Sequence, residues 1–264
     1  MSYLDTEILS PAGSFDKLEY AYAYGADAAY IGVPLFSLRA RENEFNLEEL
    51  KKGIELARKM GKKIYVTANI FARNRKIGAF DSQFKEWLSL KPDALIMSDP
   101  GLMMMVREKF PEFPIHLSVQ ANCMNWQSVR FWQKSLNLER VILSRELNIT
   151  EIKEIRQRVP DIELEAFVHG AICIAYSGRC LMSSYFSHRD ANQGVCDNSC
   201  REKFKVYGAE SKQTEYYIED LRNQGEFYQI DEDENGTLLM NAKDLCVIEH
   251  LKELIDAGVC SLKI

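Results

Sequence analysis

Short apolar runs alternate with longer amphipathic stretches from the N-terminus onward. The runs at residues 7–10, 28–33, 63–68, 94–98, 115–119, 140–144 and 162–167 are compact and rich in Ala, Val, Ile and Leu. They predict strands of a parallel sheet covered on both faces. Residues 16–24, 47–60, 84–90, 101–110, 128–136 and 150–158 repeat apolar positions at three- and four-residue spacing, which predicts helices with one face on a core. Strand and helix in this alternation build either a (β/α)8 barrel or a doubly wound open sheet. An open dinucleotide-binding sheet would carry G-x-G-x-x-G after its first strand, whereas Ser10-Pro11-Ala12-Gly13-Ser14 stands there. The expected fold is therefore α/β, a TIM-like (β/α)8 barrel. Polar residues follow most of the runs, among them Ser10, Asn69, Ser98, Asp99, Gln120, Asn122, Arg145, Glu146 and His169. In a barrel these strand ends open onto one face, where active sites form.

The repeat breaks after Gly170, and a stretch of roughly 70 residues rich in Cys, Tyr, Asn and Gly follows, too long for an idle loop. Residues 244–257 resume a helical pattern, and 261–264 read as an eighth strand. The expectation is one barrel domain over residues 1–264, with a Cys-rich insertion at about 170–240 after strand 7. The chain then ends in the last strand.

Composition narrows the class. With 46% hydrophobic and 27% charged residues, collagen-like, low-complexity and disordered chains are excluded. No apolar run reaches the about 18 residues of a membrane helix, and no basic segment followed by an apolar core opens the chain. A cytoplasmic protein without membrane contact is expected, and nothing in the sequence signals an oligomer. The 33 basic and 39 acidic side chains give a net charge of −6, which argues against a surface that coats nucleic acid generally. The basic runs Lys62-Lys63 and 73–76 are short, and the acidic stretch 231–234 repels phosphate.

Five of the 7 cysteines, Cys173, Cys180, Cys196, Cys200 and Cys246, crowd the insertion and its edge. Without an export signal this reads as metal or redox chemistry before a disulfide framework. Their spacing, C-x6-C and later C-x3-C, suits structural zinc poorly. It suits an iron–sulfur cluster better, since four-cysteine ligation recurs there with varied spacing. Five residues compete for four positions, while Cys123 and Cys260 read as small buried hydrophobes.

The run Glu165-x-Phe167-x-His169-Gly170-Ala171-x-Cys173-x-x-Tyr176-Ser177-Gly178-x-Cys180-x-x-Ser183 resembles the signature of the collagenase-like peptidase family U32. The similarity extends to residues 9–14, 25–32 and 241–246. Within the family, residues 189–194 and the insertion at 216–240 are most similar to members that act in tRNA hydroxylation. The resemblance implies a TIM-like barrel, in this family frequently followed by a small C-terminal domain, which would lie outside these residues. It also implies prephenate-dependent hydroxylation of the tRNA wobble uridine to 5-hydroxyuridine, with tRNA and prephenate as partners and a 4Fe-4S cluster as cofactor. Carried over by motif position, the cluster ligands are Cys173, Cys180, Cys196 and Cys246, with Cys200 the alternative fourth. RNA contact rests on this resemblance; the target uridine would have to be unpaired or splayed into the barrel mouth.

Under that reading Glu165, His169 and Tyr176 are the catalytic candidates, as a proton carrier, a strand-end base and a hydroxyl donor to an oxyanion. Arg179, Arg145, Asn69 and Arg73 are the substrate-binding candidates, the arginines suiting carboxylate or phosphate; Arg39 belongs with them. Two other readings stand beside it, a collagenase-like peptidase and a non-catalytic iron–sulfur scaffold serving another hydroxylase. The chain has neither H-E-x-x-H nor G-x-S-x-G and only His116, His169, His188 and His250, a thin supply for a metalloprotease. A Cys173–His169 pair on one loop would need a further group to orient the base.

Overall fold

The structure is a computed structural model that describes residues 6–38, 45–201, 204–208, 216–221, 224–225, 227–230 and 244–264. Strands β1 (Glu7–Pro11), β2 (Ala28–Gly32), β3 (Lys63–Ala68), β4 (Ala94–Met97), β5 (Ile115–Leu117), β6 (Arg140–Ile142) and β7 (Glu163–Phe167) come first. Helices α1 (Phe15–Ala23), α2 (Leu47–Met60), α3 (Asn74–Ser89), α4 (Pro100–Lys109), α5 (Trp126–Leu136) and α6 (Ile149–Arg158) alternate with them. Then follow β8 (His169–Gly170), α7 (Met182–Ser187), β9 (Phe204–Gly208), β10 (Tyr216–Asp220), β11 (Phe227–Ile230), β12 (Leu245–Cys246), α8 (Leu251–Asp256) and β13 (Val259–Lys263). Eight parallel strands close into a barrel in the order β1-β13-β7-β6-β5-β4-β3-β2. The anticipated eighth strand is β13, whose Ser261 and Leu262 lie opposite Glu7 and Ile8 on one side and Glu165 and Ala166 on the other. The insertion adds an antiparallel sheet, β11-β10-β9, and the short pair β12-β8. Arg39, the acidic stretch 231–234 and the first residues of the 241–246 motif lie outside the described residues.

Local signals start most helices. Asn46 with Glu49 and Asn148 with Glu151 form capping boxes on α2 and α6, and Asp99 caps α4 with Pro100 in its first turn. Helix α3 begins ten residues before the expected 84–90 stretch. Its first turn has no side-chain cap and is polar, so periodicity becomes visible only from Phe80 and Phe84 onward. No helix among the described residues is long and apolar enough to cross a membrane.

Alternation along each strand sends every second side chain into the barrel. Leu9, Ala28, Tyr65, Ala94, Ile96, Val119 and Ile142 pack there, with Tyr30 and Phe167 against them. Charged side chains hold several of the other inward positions. Fully buried Glu165 accepts from Lys263 Nζ at 3.0 Å and from Arg140 Nη1 at 3.3 Å. Arg140 Nη1 also reaches Glu7 Oε1 at 2.5 Å, and its Nη2 reaches Glu163 Oε2 at 2.7 Å. Glu7 accepts further bonds from the Tyr65 hydroxyl at 2.6 Å and the Ser261 hydroxyl at 2.9 Å. Burial acts to raise the Glu7 carboxyl, but the Arg140 charge and these donors hold it below its ordinary value. Burial pulls the Lys263 ammonium down, against the opposing pull of Glu165. Lys263 Nζ also stands 3.8 Å from the Tyr30 ring centroid, a cation–π contact.

His116 lies edge-on to Tyr65 in the same interior, with Nδ1 buried and without a partner among the described residues. Burial, together with the nearby Arg140, Lys263 and Lys63, depresses its pKa well below the ordinary 6.5.

Two outcomes follow. Lys263→Met leaves Glu165 short of one counter-charge, and urea unfolding should show a loss of about 3–5 kcal/mol; an unchanged midpoint would refute the pairing's structural role. His116 stays neutral when folded while the unfolded chain protonates it, so stability falls with acidification below about pH 6.5, by up to about 1.4 kcal/mol per pH unit. His116→Phe should flatten that part of the pH profile.

Candidate functional site at the barrel mouth

The segment after β8 folds back over the C-terminal ends of the strands and is fastened there by a serine. Ser177 is fully buried with φ 47°, in the 3-10 turn Tyr176–Gly178. Its N–H donates to Glu146 Oε1 at 2.6 Å, and its hydroxyl lies 2.6 Å from Asn122 Oδ1 and 3.1 Å from Glu146 Oε2. The Ser144 hydroxyl touches the Ser177 hydroxyl and donates to Glu146 Oε2 at 2.7 Å. Burial works to raise the Glu146 carboxyl, yet the hydrogen bonds from Ser144 and Ser177 bring it below its usual value.

Two glycines permit this closure. Gly178 has φ +74°, and a Cβ there would collide with Gln120 Nε2. Gly194 has φ +85°, and a Cβ there would stand 2.5 Å from the Ser37 carbonyl. Both positions demand the residue without a side chain. Between them Asn192 clasps the chain, accepting from the Cys180 N–H at 3.2 Å and donating to the Cys180 carbonyl at 2.9 Å. Gln193 Nε2 donates to the Phe71 carbonyl.

Four thiols share this segment. The Cys200 thiol is pushed up by burial and then by the neighbouring Cys173, Cys196 and Cys180, with Arg201 acting the other way. Cys180 Sγ accepts from the Met182 N–H at 3.3 Å, and Cys196 Sγ from the Asn198 N–H at 3.4 Å. Such donors stabilise thiolate sulfur. Asp197 braces the turn, accepting from the Ser183 hydroxyl at 2.7 Å and the Ser199 N–H at 3.0 Å. Burial opposes its ionisation, but the Ser187, Ser199 and Ser183 donors keep its carboxyl far below the ordinary range. Cys246 instead sits opposite His169 in the β12-β8 pair and is exposed. Among the described residues no three His, Cys, Asp or Glu side chains are already set to hold a metal ion.

The family model for peptidase family U32 matches residues 13–264. The chain belongs to peptidase family U32. A relative from Escherichia coli strain K12 named tRNA hydroxylation protein P is 50% identical over 98% of this U32 chain and 63% of its own length. A relative from Porphyromonas gingivalis named collagenase is 32% identical over 100% of the chain and 61% of its own length. The U32 chain thus spans less than two thirds of either relative. A solved structure of a U32 peptidase superposes with TM-score 0.54 at 15% identity, covering 62% of this chain and 69% of that one, which supports the barrel fold.

Against the residues singled out in the sequence, the U32 barrel sorts the candidates by what already occupies them. Glu165 is held by Arg140 and Lys263 inside the barrel. Asn69 is engaged in architecture: its Oδ1 accepts from the Leu38 N–H at 3.0 Å, and its Nδ2 reaches the Ser118 hydroxyl at 3.4 Å. Arg73 pairs with Asp190 at 2.5 Å. Arg179 donates through Nε to the Gln120 carbonyl at 2.9 Å and lies over the Phe71 ring. Arg145 lies over the Phe167 ring. Neither of these two arginines has a carboxylate partner among the described residues. His169 is exposed and Tyr176 is 54% exposed, both at the rim. The residues that sequence reasoning passed over are Ser177, which fastens the loop, and Arg140 and Lys263, which hold Glu165. Alternation from Ser261 places Lys263 on the inner face, but nothing local in the sequence pairs it with Glu165.

Ser177→Ala removes a buried hydroxyl from three oxygen neighbours and should cost about 1–3 kcal/mol. Hydrogen–deuterium exchange should accelerate across residues 173–201 while the barrel strands stay protected. Uniform acceleration would show that the latch is not local.

Proposed function

We propose that this chain is the barrel part of a tRNA-hydroxylating enzyme of the cytoplasm. In this reading it converts the wobble uridine to 5-hydroxyuridine with prephenate as co-substrate and a 4Fe-4S cluster as cofactor. The observation that carries the reading is the 50% identity, over 98% of the chain, to a relative named for tRNA hydroxylation.

The donor set supports the cofactor. Cys173, Cys196 and Cys180 each act on the Cys200 thiol, and N–H donors already point at two of the sulfurs. Thiolate ligation with hydrogen bonds to sulfur is the chemistry such a cluster requires. We therefore take Cys200 as the fourth ligand and leave Cys246, exposed opposite His169, outside the set. When bound, the cluster would supply one-electron or Lewis-acid chemistry at the mouth. The chain's own residues do the rest. Arg145 and Arg179, without acidic partners among the described residues, receive the carboxylates of a dicarboxylic co-substrate. His169 and Tyr176 at the rim carry or donate protons near the bound base, and the Ser177 latch holds this surface in place.

The collagenase-named relative keeps peptidase activity as the rival. Nothing in the site favours it: neither Ser177 nor Cys173 has a histidine within hydrogen-bonding reach among the described residues. Ser177 is buried among Asn122, Ser144 and Glu146.

The test is expression in bacteria stripped of their own tRNA-hydroxylating proteins, with nucleoside mass spectrometry of bulk tRNA. 5-Hydroxyuridine should reappear with the unaltered chain and disappear with Cys180→Ser. Protein prepared without oxygen should hold about four irons per chain, lost in Cys200→Ser and kept in Cys246→Ser. Peptide cleavage without any change in tRNA would overturn the proposal.

A further inference from the structure

The run Arg73-Asn74-Arg75-Lys76 looks, in sequence, like a solvated face, and the net charge of −6 argues against an RNA surface. The fold makes this run one wall of a cavity of about 570 Å3. The opposite wall comes more than a hundred residues later, from Ser184, His188 and Asp190. These far-wall residues lie between Cys180 and Cys196 in the chain, so the cavity adjoins the thiol-bearing segment.

Among the described residues its charge is uncompensated. The one lining carboxylate among them, Asp190, is taken by Arg73 at 2.5 Å. Lys76 is fixed in place, donating to the Leu35 carbonyl at 2.7 Å and lying over the Phe36 ring. Arg75 is exposed and has no acidic partner among the described residues. Burial together with Arg75 and Arg73 pulls the Lys76 ammonium below its ordinary value, with only Asp190 opposing, as expected where cations crowd.

A further feature selects among anionic ligands. Beside the cavity Tyr185 and Leu181 are 70% and 77% exposed. Tyr176 at the rim is 54% exposed. Exposed tyrosines are the platforms on which unstacked bases rest.

We propose that this groove is the RNA-docking surface: Arg75 and Lys76 engage the backbone phosphates of a single-stranded loop, and Tyr185 stacks on its bases. The proposal rests on the tRNA reading above and names the surface that reading requires.

Fluorescence polarisation with a labelled anticodon stem-loop RNA tests it on the 264-residue chain, across a salt series. Arg75→Gln removes an exposed charge with no described ion pair, so folding is unaffected. It should weaken binding about tenfold and lower the log–log salt slope by about 0.7, the share of one single-strand phosphate contact. Tyr185→Ala should weaken binding without changing the slope. Lys134→Gln, on the exposed flank of α5, should change neither. Unaltered affinity and slope in Arg75→Gln overturn the groove, as does equal displacement by an acidic peptide, which would mark a protein partner. The nucleoside assay separates the two readings. Hydroxyuridine formed by the unaltered chain, with Arg75→Gln binding normally, sinks the groove alone. Binding lost in Arg75→Gln, with no hydroxyuridine from the unaltered chain, sinks the hydroxylation reading and leaves the groove.

Discussion

Glu165 is the carboxylate on which the barrel's interior depends. It is fully buried, and an acid in such a place is costly unless it is paired and hydrogen-bonded. Its two partners come from different parts of the chain: Arg140 starts β6, and Lys263 closes β13, 98 positions after Glu165. Arg140 is shared with Glu7 of β1, so one set of two acids and two bases ties β1, β6, β7 and β13 together across the seam where the barrel closes. The backbone ladder sets the register of that seam. The charges make any other register costly, because a slip of one residue would turn Lys263 outward and leave Glu165 short of a partner.

A similar division of labour operates at the mouth. The Ser177 latch is neutral apart from Glu146 and fastens the cysteine segment to the ends of β5 and β6 through short hydrogen bonds. The glycines at 178 and 194 let the segment lie against Gln120 and Ser37 without a collision. Stability is thus concentrated in the barrel interior, and the chemistry-bearing groups sit on an overlay held by a few polar contacts. An overlay of this kind can adjust around a bound group without disturbing the strands.

Much of the barrel was legible in the sequence, because buried parallel strands are nearly continuous apolar runs and periodicity marks the helices between them. The start of α3 was not legible: Asn74 to Gly78 carry no apolar stripe, and the helix is held by Phe80, Phe84, Trp87 and Leu88 further on. The site was legible as a motif and illegible as an arrangement. Spacing left Cys246 and Cys200 both open as a fourth ligand, because it does not say how the segment folds back. The inward side of Lys263 follows from strand alternation, yet its partner follows only from closure of the barrel.

The same limit explains the acidic composition. Net charge averages over the whole surface, whereas a polyanion responds to the local field within about 10 Å at ordinary ionic strength. Arg73, Arg75 and Lys76 are close in sequence, but a run becomes a groove only when a second wall faces it, and here that wall belongs to the cysteine segment. The Arg73–Asp190 pair therefore has a consequence beyond its modest exposed-pair energy. By engaging Asp190, the one acidic group among the described residues of the cavity, it docks the segment against α3 and leaves Arg75 and Lys76 without an acidic partner among them. With cations on one wall and the cysteine-bearing segment as the other, a polyanion docked in this groove would lie beside that segment, which a uniformly basic surface would not ensure.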